Sequence, residues 1–267
     1  MSGLNKKVAL VTGGSSGIGL ATVHQLVKAG VTVYEISRRD IAIEGATHLK
    51  GDVTDEAAMQ EVVDAVLSKE GQLDILVCSA GFGISGAVEF TELDAAKRQF
   101  DVNFFGVVNT VKPVLTVMRR QGFGRIVIVS SVAGAIAIPF QTYYSATKSA
   151  LNSYACALRN EVRPYSITVT AVMPGDICTG FTAAREKSPV GDREYNGRIT
   201  RSVARMEKDE QKGMKAEVAG KYIRRMCLKK RVPPTSSIGF SYKALVFLTR
   251  ILPEGLVSKI VYGMYAK

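Results

Sequence analysis

Residues 6–19 read KKVALVTGGSSGIG, and the apolar positions that follow are Leu20, Ala21, Val23, Leu26 and Val27. Lys6–Thr12 is a short run rich in β-branched residues, the pattern of a strand buried on both faces. The glycines turn the chain, and the apolar spacing from Ile18 onward switches to the period of a helix. Gly30 stands where a helix C-terminus needs a residue free to adopt positive φ, and Val31–Ser37 reads as a second strand. Strand, glycine turn, helix and strand make one βαβ unit.

The same alternation continues through LDILVCSAG (73–81), GRIVIVSS (124–131) and SITVTAVMPG (166–175), each an apolar run ending in small or turn residues, with helical stretches between them. Continuous apolar strands alternating with helices indicate an α/β fold: a Rossmann-like, doubly wound parallel sheet with helices on both faces. The 267 residues fit a single domain of this kind. Ligands of such sheets bind beyond the C-terminal strand ends, where every motif below falls. The link from the second strand to HLKGDV (48–53) is about eight residues, too short for a crossover helix, so a turn is expected there.

Composition narrows the class. Hydrophobic residues make up 46% of the chain, enough for a large core, and neither a repeat nor a low-complexity run interrupts it. The N-terminus lacks the long apolar stretch of a signal peptide. Cys78, Cys156, Cys178 and Cys227 are scattered, which predicts reduced thiols in a cytoplasmic enzyme, no disulfide and no metal site. The formal charge of +11 is concentrated in part between Arg198 and Arg231. Alone it cannot choose between anionic ligands, nucleic acid and a membrane surface. Without a recognisable nucleic-acid motif, a nucleic-acid partner is not expected.

Between the first strand and helix, backbone N–H groups around Gly13, Gly17 and Gly19 can face a pyrophosphate at the helix N-terminus. A nucleoside triphosphate loop is disfavoured because no Gly-Lys-Ser/Thr closes the segment. At the end of the second strand, where an acid would select the ribose of NAD, the chain has Ser37, Arg38 and Arg39. Arg38 there can bond a 2′-phosphate, each charge-assisted bond contributing roughly 1.5–3 kcal/mol, so NADP(H) is the expected cofactor.

Tyr144 and Lys148 lie one turn apart at the start of a helical stretch. A free tyrosine is a poor base near neutrality; a nearby cation and a helix N-terminus are expected to lower its pKa. His24 and His48 read as structural.

Together, TGGSSGIG, CSAG, Asn103, SSVAG, YSATK and PG occur in the order and spacing of the short-chain dehydrogenase/reductase family, which residues 5 to about 180 resemble. The resemblance implies that Tyr144 donates the proton to a ketone, Lys148 binds the nicotinamide ribose, Ser131 polarises the substrate oxygen and Asn103 anchors a relay water. Ser131, rather than Ser130, has the family's usual separation from the tyrosine, and Tyr144, rather than Tyr143, stands four before Lys148. By the same resemblance Ser15, Ser16, Ile18, Ala80 and Gly81 meet the cofactor's backbone, Asp52 and Val53 its adenine, and Pro174, Gly175 and Thr179 its nicotinamide. CSAG replaces the usual NNAG, outside the reacting set. A homodimer or homotetramer is also implied.

Within the family the chain looks most like the 17-beta-hydroxysteroid and retinol dehydrogenase branch, which implies a hydrophobic ketone or alcohol such as a steroid or bile acid. Acyl-dihydroxyacetone-phosphate and retinoid reductases stay open. A non-catalytic NADP(H) sensor would be expected to lack the tyrosine or lysine, and both are present. Residues 177–230 are read as the substrate loop and lid. Residues 241–265 read as an amphipathic extension broken by Pro253, packed over the pocket or resting on a membrane surface.

Overall fold

A computed structural model describes residues 6–267. The first half runs β1 (Val8–Thr12), α1 (Gly17–Lys28), β2 (Thr32–Ser37), β3 (Ala46–Lys50), α2 (Glu56–Glu70), β4 (Ile75–Cys78), a short β5 (Ile84–Ser85), α3 (Leu93–Phe100) and α4 (Gly106–Gln121). It continues with β6 (Gly124–Val129), α5 (Thr142–Glu161), β7 (Ile167–Met173), β8 (Ile177–Cys178), α6 (Phe181–Ala184) and β9 (Glu186–Lys187). The last part holds α7 (Arg198–Gln211), β10 (Met214–Lys215), α8 (Ala216–Leu228), β11 (Thr235–Ser237), α9 (Phe240–Leu248) and α10 (Glu254–Tyr265).

Seven strands form one sheet in the order β11-β7-β6-β4-β1-β2-β3, and every pairing is parallel. Both faces are covered, as continuous apolar strands require. Leu10, Leu76, Ile126 and Val169 pack with residues of α2, α4 and α5 on one side. Val11, Val77, Val127 and Val172 pack with α1 and α8 on the other. The link from β2 to β3 holds no helix, in agreement with its length.

Local signals account for the element ends. Asp55 caps α2 by accepting a hydrogen bond from the Ala58 amide at 3.0 Å, and Gly71, at φ 70°, ends it in the left-handed region. Between α3 and α4 the helix widens into a π-turn over Asp101–Phe105, a feature that often marks a functional site. β11 escaped the sequence reading. Its three residues, Thr235–Ser237, carry no apolar run, and they become a strand by pairing with Ala171–Met173 at the sheet edge.

Candidate active site

Three chain turns at the C-terminal strand ends converge. Gly13 packs so closely on the β4 end that a Cβ there would come within 2.7 Å of Ala80 Cα, and one on Gly19 would come within 2.1 Å of the Gly13 carbonyl oxygen. Only glycine lets these backbones approach. The Thr12 hydroxyl accepts hydrogen bonds from the amides of Ser79 and Ala80, at 3.2 and 3.3 Å, tying β1 to the turn after β4. Ser16 sits at the N-cap of α1 without a side-chain cap bond, and Gly17 adopts φ 54°, where an added Cβ would stand 3.6 Å from the Thr179 side chain. Ile18 packs against the core behind the loop. This cradle, with a helix N-terminus behind it, fits a dinucleotide pyrophosphate.

At the end of β2 it is Arg39 that reaches the loop: its guanidinium donates to the Ser15 hydroxyl at 3.0 Å and to the Ser15 carbonyl oxygen at 3.3 Å. The Ser37 hydroxyl donates to the Arg39 carbonyl oxygen, and Arg38 is exposed beside them. Asp52 folds back on Thr54, accepting from its amide and hydroxyl. Val53 is buried, and its carbonyl oxygen is held by Asn109.

The residues expected to react are brought together by β6, the α3–α4 junction and α5. Ser131 follows β6, and its hydroxyl accepts from the Ala133 amide at 3.1 Å. Val132 N–H donates to the Pro174 carbonyl oxygen, so the turns after β6 and β7 are stitched together. The Ser131 hydroxyl lies beside the Tyr144 phenol and favours its ionised form. Lys148 is buried, lies 5.6 Å from the Tyr144 ring centre and donates to the Val129 carbonyl oxygen at 3.1 Å. Asn103, buried in the π-turn, grips the Phe82 backbone: its oxygen accepts from the Phe82 amide and its nitrogen donates to the Phe82 carbonyl oxygen, both at 2.9 Å. Gly81 lies between them, for a Cβ there would stand 3.0 Å from the Asn103 side-chain oxygen and 3.7 Å from the Lys148 ammonium.

The electrostatics differ from the sequence expectation. Burial pushes the Tyr144 phenol up to about 12, against the opposing hydrogen bond from Ser131; Glu210 adds to the rise and Arg185 opposes it. Burial also brings the Lys148 ammonium down to about 8. Desolvation therefore outweighs the attraction between cation and phenolate that the pair's spacing suggested.

The family model described as short chain dehydrogenase matches residues 7–189. The chain belongs to the short chain dehydrogenase family. A 3-ketodihydrosphingosine reductase of Bacteroides thetaiotaomicron is 34% identical over 98% of this dehydrogenase and 99% of its own length. A 3-ketodihydrosphingosine reductase of Bos taurus is 31% identical over 96% of this chain and 80% of that one. A short-chain dehydrogenase of Streptomyces avermitilis, 28% identical, superposes with a TM-score of 0.84 over 97% of both chains. Both curated relatives are named for a sphingoid ketone rather than for a steroid or a retinoid.

Around this candidate site the structure places further residues that the sequence alone does not point to. Glu35, fully buried in β2, lies under the glycine loop, since a Cβ on Gly14 would come within 2.2 Å of its Cγ, and it pairs with His48 at 2.7 Å. Arg185 and Glu210 form a buried ion pair beside Phe181, whose ring lies 5.7 Å from that of Tyr144. Tyr242 of α9 covers Gly175 and donates to Asp176 at 2.6 Å. Of residues 177–230, the portion through α7 holds Thr179, Phe181, Arg185 and Glu210, whereas α8 packs against α1 on the sheet. An apolar run flanking a strand end was the only available signal for Glu35; Tyr242 had none, being 67 residues from Gly175 in sequence.

Proposed function

We propose that this dehydrogenase reduces the ketone of a long-chain lipid, with a 3-ketosphingoid base as the substrate class and NADPH as the cofactor. The observation that carries the substrate reading is the end-to-end similarity to a 3-ketodihydrosphingosine reductase. The steroid or bile acid expected from the sequence shares with it an apolar ketone. The cofactor reading is supported by Arg39 on the glycine loop, with Arg38 beside it and no acid at Ser37. An arginine at this place favours a 2′-phosphate.

Gly13, Ser15, Ser16, Gly17, Ile18 and Gly19 would hold the pyrophosphate, Asp52 and Val53 the adenine, Ala80 and Gly81 the connecting backbone, and Pro174, Gly175 and Thr179 the nicotinamide. When bound, NADPH supplies the hydride for the carbonyl carbon. Tyr144, kept protonated by its burial, donates its proton to the carbonyl oxygen, and Ser131 donates a hydrogen bond to the same oxygen. Lys148 donates to the Val129 carbonyl oxygen, and its charge stabilises the phenolate left behind. Asn103 positions the Phe82 turn and, through a 3.2 Å bond to the Thr147 hydroxyl, the helix that carries Tyr144 and Lys148.

The test is oxidation of NADPH and of NADH with a 3-ketosphingoid base, a ketosteroid and a short-chain ketone. The sphingoid ketone with NADPH should lead in kcat/KM by about tenfold or more, the scale of about two buried methylenes. Preference for the steroid would return the substrate to the hydroxysteroid class. Arg39→Leu should weaken NADPH by about tenfold and leave NADH nearly unchanged, the loss of one charge-assisted bond. An equal effect on both cofactors would remove Arg39 from phosphate recognition.

A further inference from the structure

The two C-terminal helices turn apolar side chains outward. On α9 and the turn after it, Phe240, Ala244, Phe247, Leu248 and Ile251 recur at helical spacing on one face. Phe240 is 89% exposed, Phe247 60% and Ile251 61%. On α10, Leu256, Ile260 and Met264 form a second exposed stripe at intervals of four. The opposite faces are the docked ones: Tyr242 lies on Gly175, and Val246, Val261 and Ala266 are buried. Arg198 holds the end of α10 by donating to the Ala266 carbonyl oxygen at 2.6 Å. Large apolar side chains grouped outward on two anchored helices mark an interaction surface.

The charge beside these stripes selects the partner. Arg198–Lys267 contains 16 of the 35 basic residues and 5 of the 24 acidic ones, so this stretch carries the whole formal excess of +11. Lys243 flanks the α9 stripe and lies over the Tyr222 ring of α8, whose solvent face adds Lys221 and Arg225. Lys259 flanks the α10 stripe. Among the described residues, no helix is long and apolar enough to cross a membrane. Amphipathic helices with an apolar face and basic flanks lie in a bilayer surface and favour anionic lipid.

We infer that α9 and α10 seat the protein on an anionic lipid bilayer, with the apolar stripes in the acyl boundary and the lysines among the headgroups. Because α9 carries Phe240 and Phe247 outward and Tyr242 inward against Gly175, the same helix links the bilayer to the substrate end of the site. For a long-chain ketone, which partitions into membranes, this surface brings the enzyme to its substrate. Vesicle binding is read without any ketone present, so this surface and the substrate reading above fail separately.

The experiment is flotation of the full chain with vesicles of phosphatidylcholine alone and of phosphatidylcholine mixed with phosphatidylglycerol, at low and high salt. The protein should float with the anionic vesicles and much less with the neutral ones, and salt should release part of it. Phe240→Glu/Phe247→Glu and Lys243→Glu/Lys259→Glu should each lower the bound fraction at limiting lipid by about tenfold, while NADPH binding and reduction of a soluble short ketone stay unchanged. Failure of the full chain to float at low salt, or undiminished binding by the Phe240/Phe247 variant, would overturn the inference. So would a stable dimer in solution that the same variant dissociates without any vesicle binding by the wild type, which would give the face to a second copy of the chain.

Discussion

Tyr144 shows how one residue's environment sets its direction of use. Its phenol is pushed up to about 12 by burial, so across the neutral range it holds the proton that the proposed ketone reduction would consume. Tyr144→Phe removes that proton alone and should lower kcat by about 10²–10⁴-fold while NADPH affinity stays near wild type. Tyr143→Phe, at a half-buried neighbour outside the hydrogen-bonded set, should be mild. Lys148, brought down to about 8, is charged below that pH and neutral above it. Because Tyr144 stays protonated well beyond, kcat/KM for reduction should fall as pH rises through about 8, and measurement of the profile in wild type and Lys148→Arg checks the assignment. The arginine keeps its charge over this range and should carry the alkaline limb upward, whatever its effect on the maximal rate. A limb unmoved by that substitution would belong to another group.

At the scale of elements, the site depends on helices that arrive from far along the chain. Gly175 has no room for a side chain because the Tyr242 ring of α9 covers it; a Cβ there would come within 2.3 Å of that ring. Gly175→Ala should displace α9, since an aromatic ring held by a hydrogen bond to Asp176 cannot simply swing aside. The expected result is a folded protein with reduced turnover and faster proteolytic cleavage near residues 239–253, measured by mass spectrometry of the fragments. Normal turnover with unchanged protection would show that the ring moves freely. The π-turn between α3 and α4 has a comparable role on the other side, because it places Asn103 against Phe82.

Taken as a whole molecule, the protein is a parallel sheet between two helix layers, and in one of them α1 and α8 meet backbone to backbone. Gly220 of α8 lies so close to α1 that a Cβ would come within 2.6 Å of the Ala21 carbonyl carbon. Backbone cannot give way there as a flexible side chain could. Gly220→Leu should therefore separate α8 from α1 and destabilise the fold by about 1–3 kcal/mol or more, read as a lowered midpoint in urea unfolding. An unchanged midpoint would mean that α8 can shift without loss. A matching substitution at Gly255, where an added Cβ would meet nothing within 4 Å among the described residues outside its own helix backbone and chain neighbours, should leave the core intact and serves as the control.

Strand runs such as VALVT and ITVTAVM, the glycine loop and the Tyr144–Lys148 spacing are legible in the sequence because they are local. Alternation, helical period and the need for glycine in a tight turn act over a few residues, and the chain carries them wherever it folds. Their order along the chain was enough for the α/β class, the parallel sheet and the family. Only the tertiary structure decided what depends on distant packing: the strand order, β11 as an edge strand without an apolar run, and Arg39 rather than Arg38 on Ser15. It also decided the burial of Glu35 beneath Gly14, the cover of Gly175 by Tyr242, and which faces of α9 and α10 remain outside. The reversal at Tyr144 has the same origin. A cation one helical turn away is visible in the sequence, but desolvation is produced by every element that closes over the phenol, and here it is the larger effect.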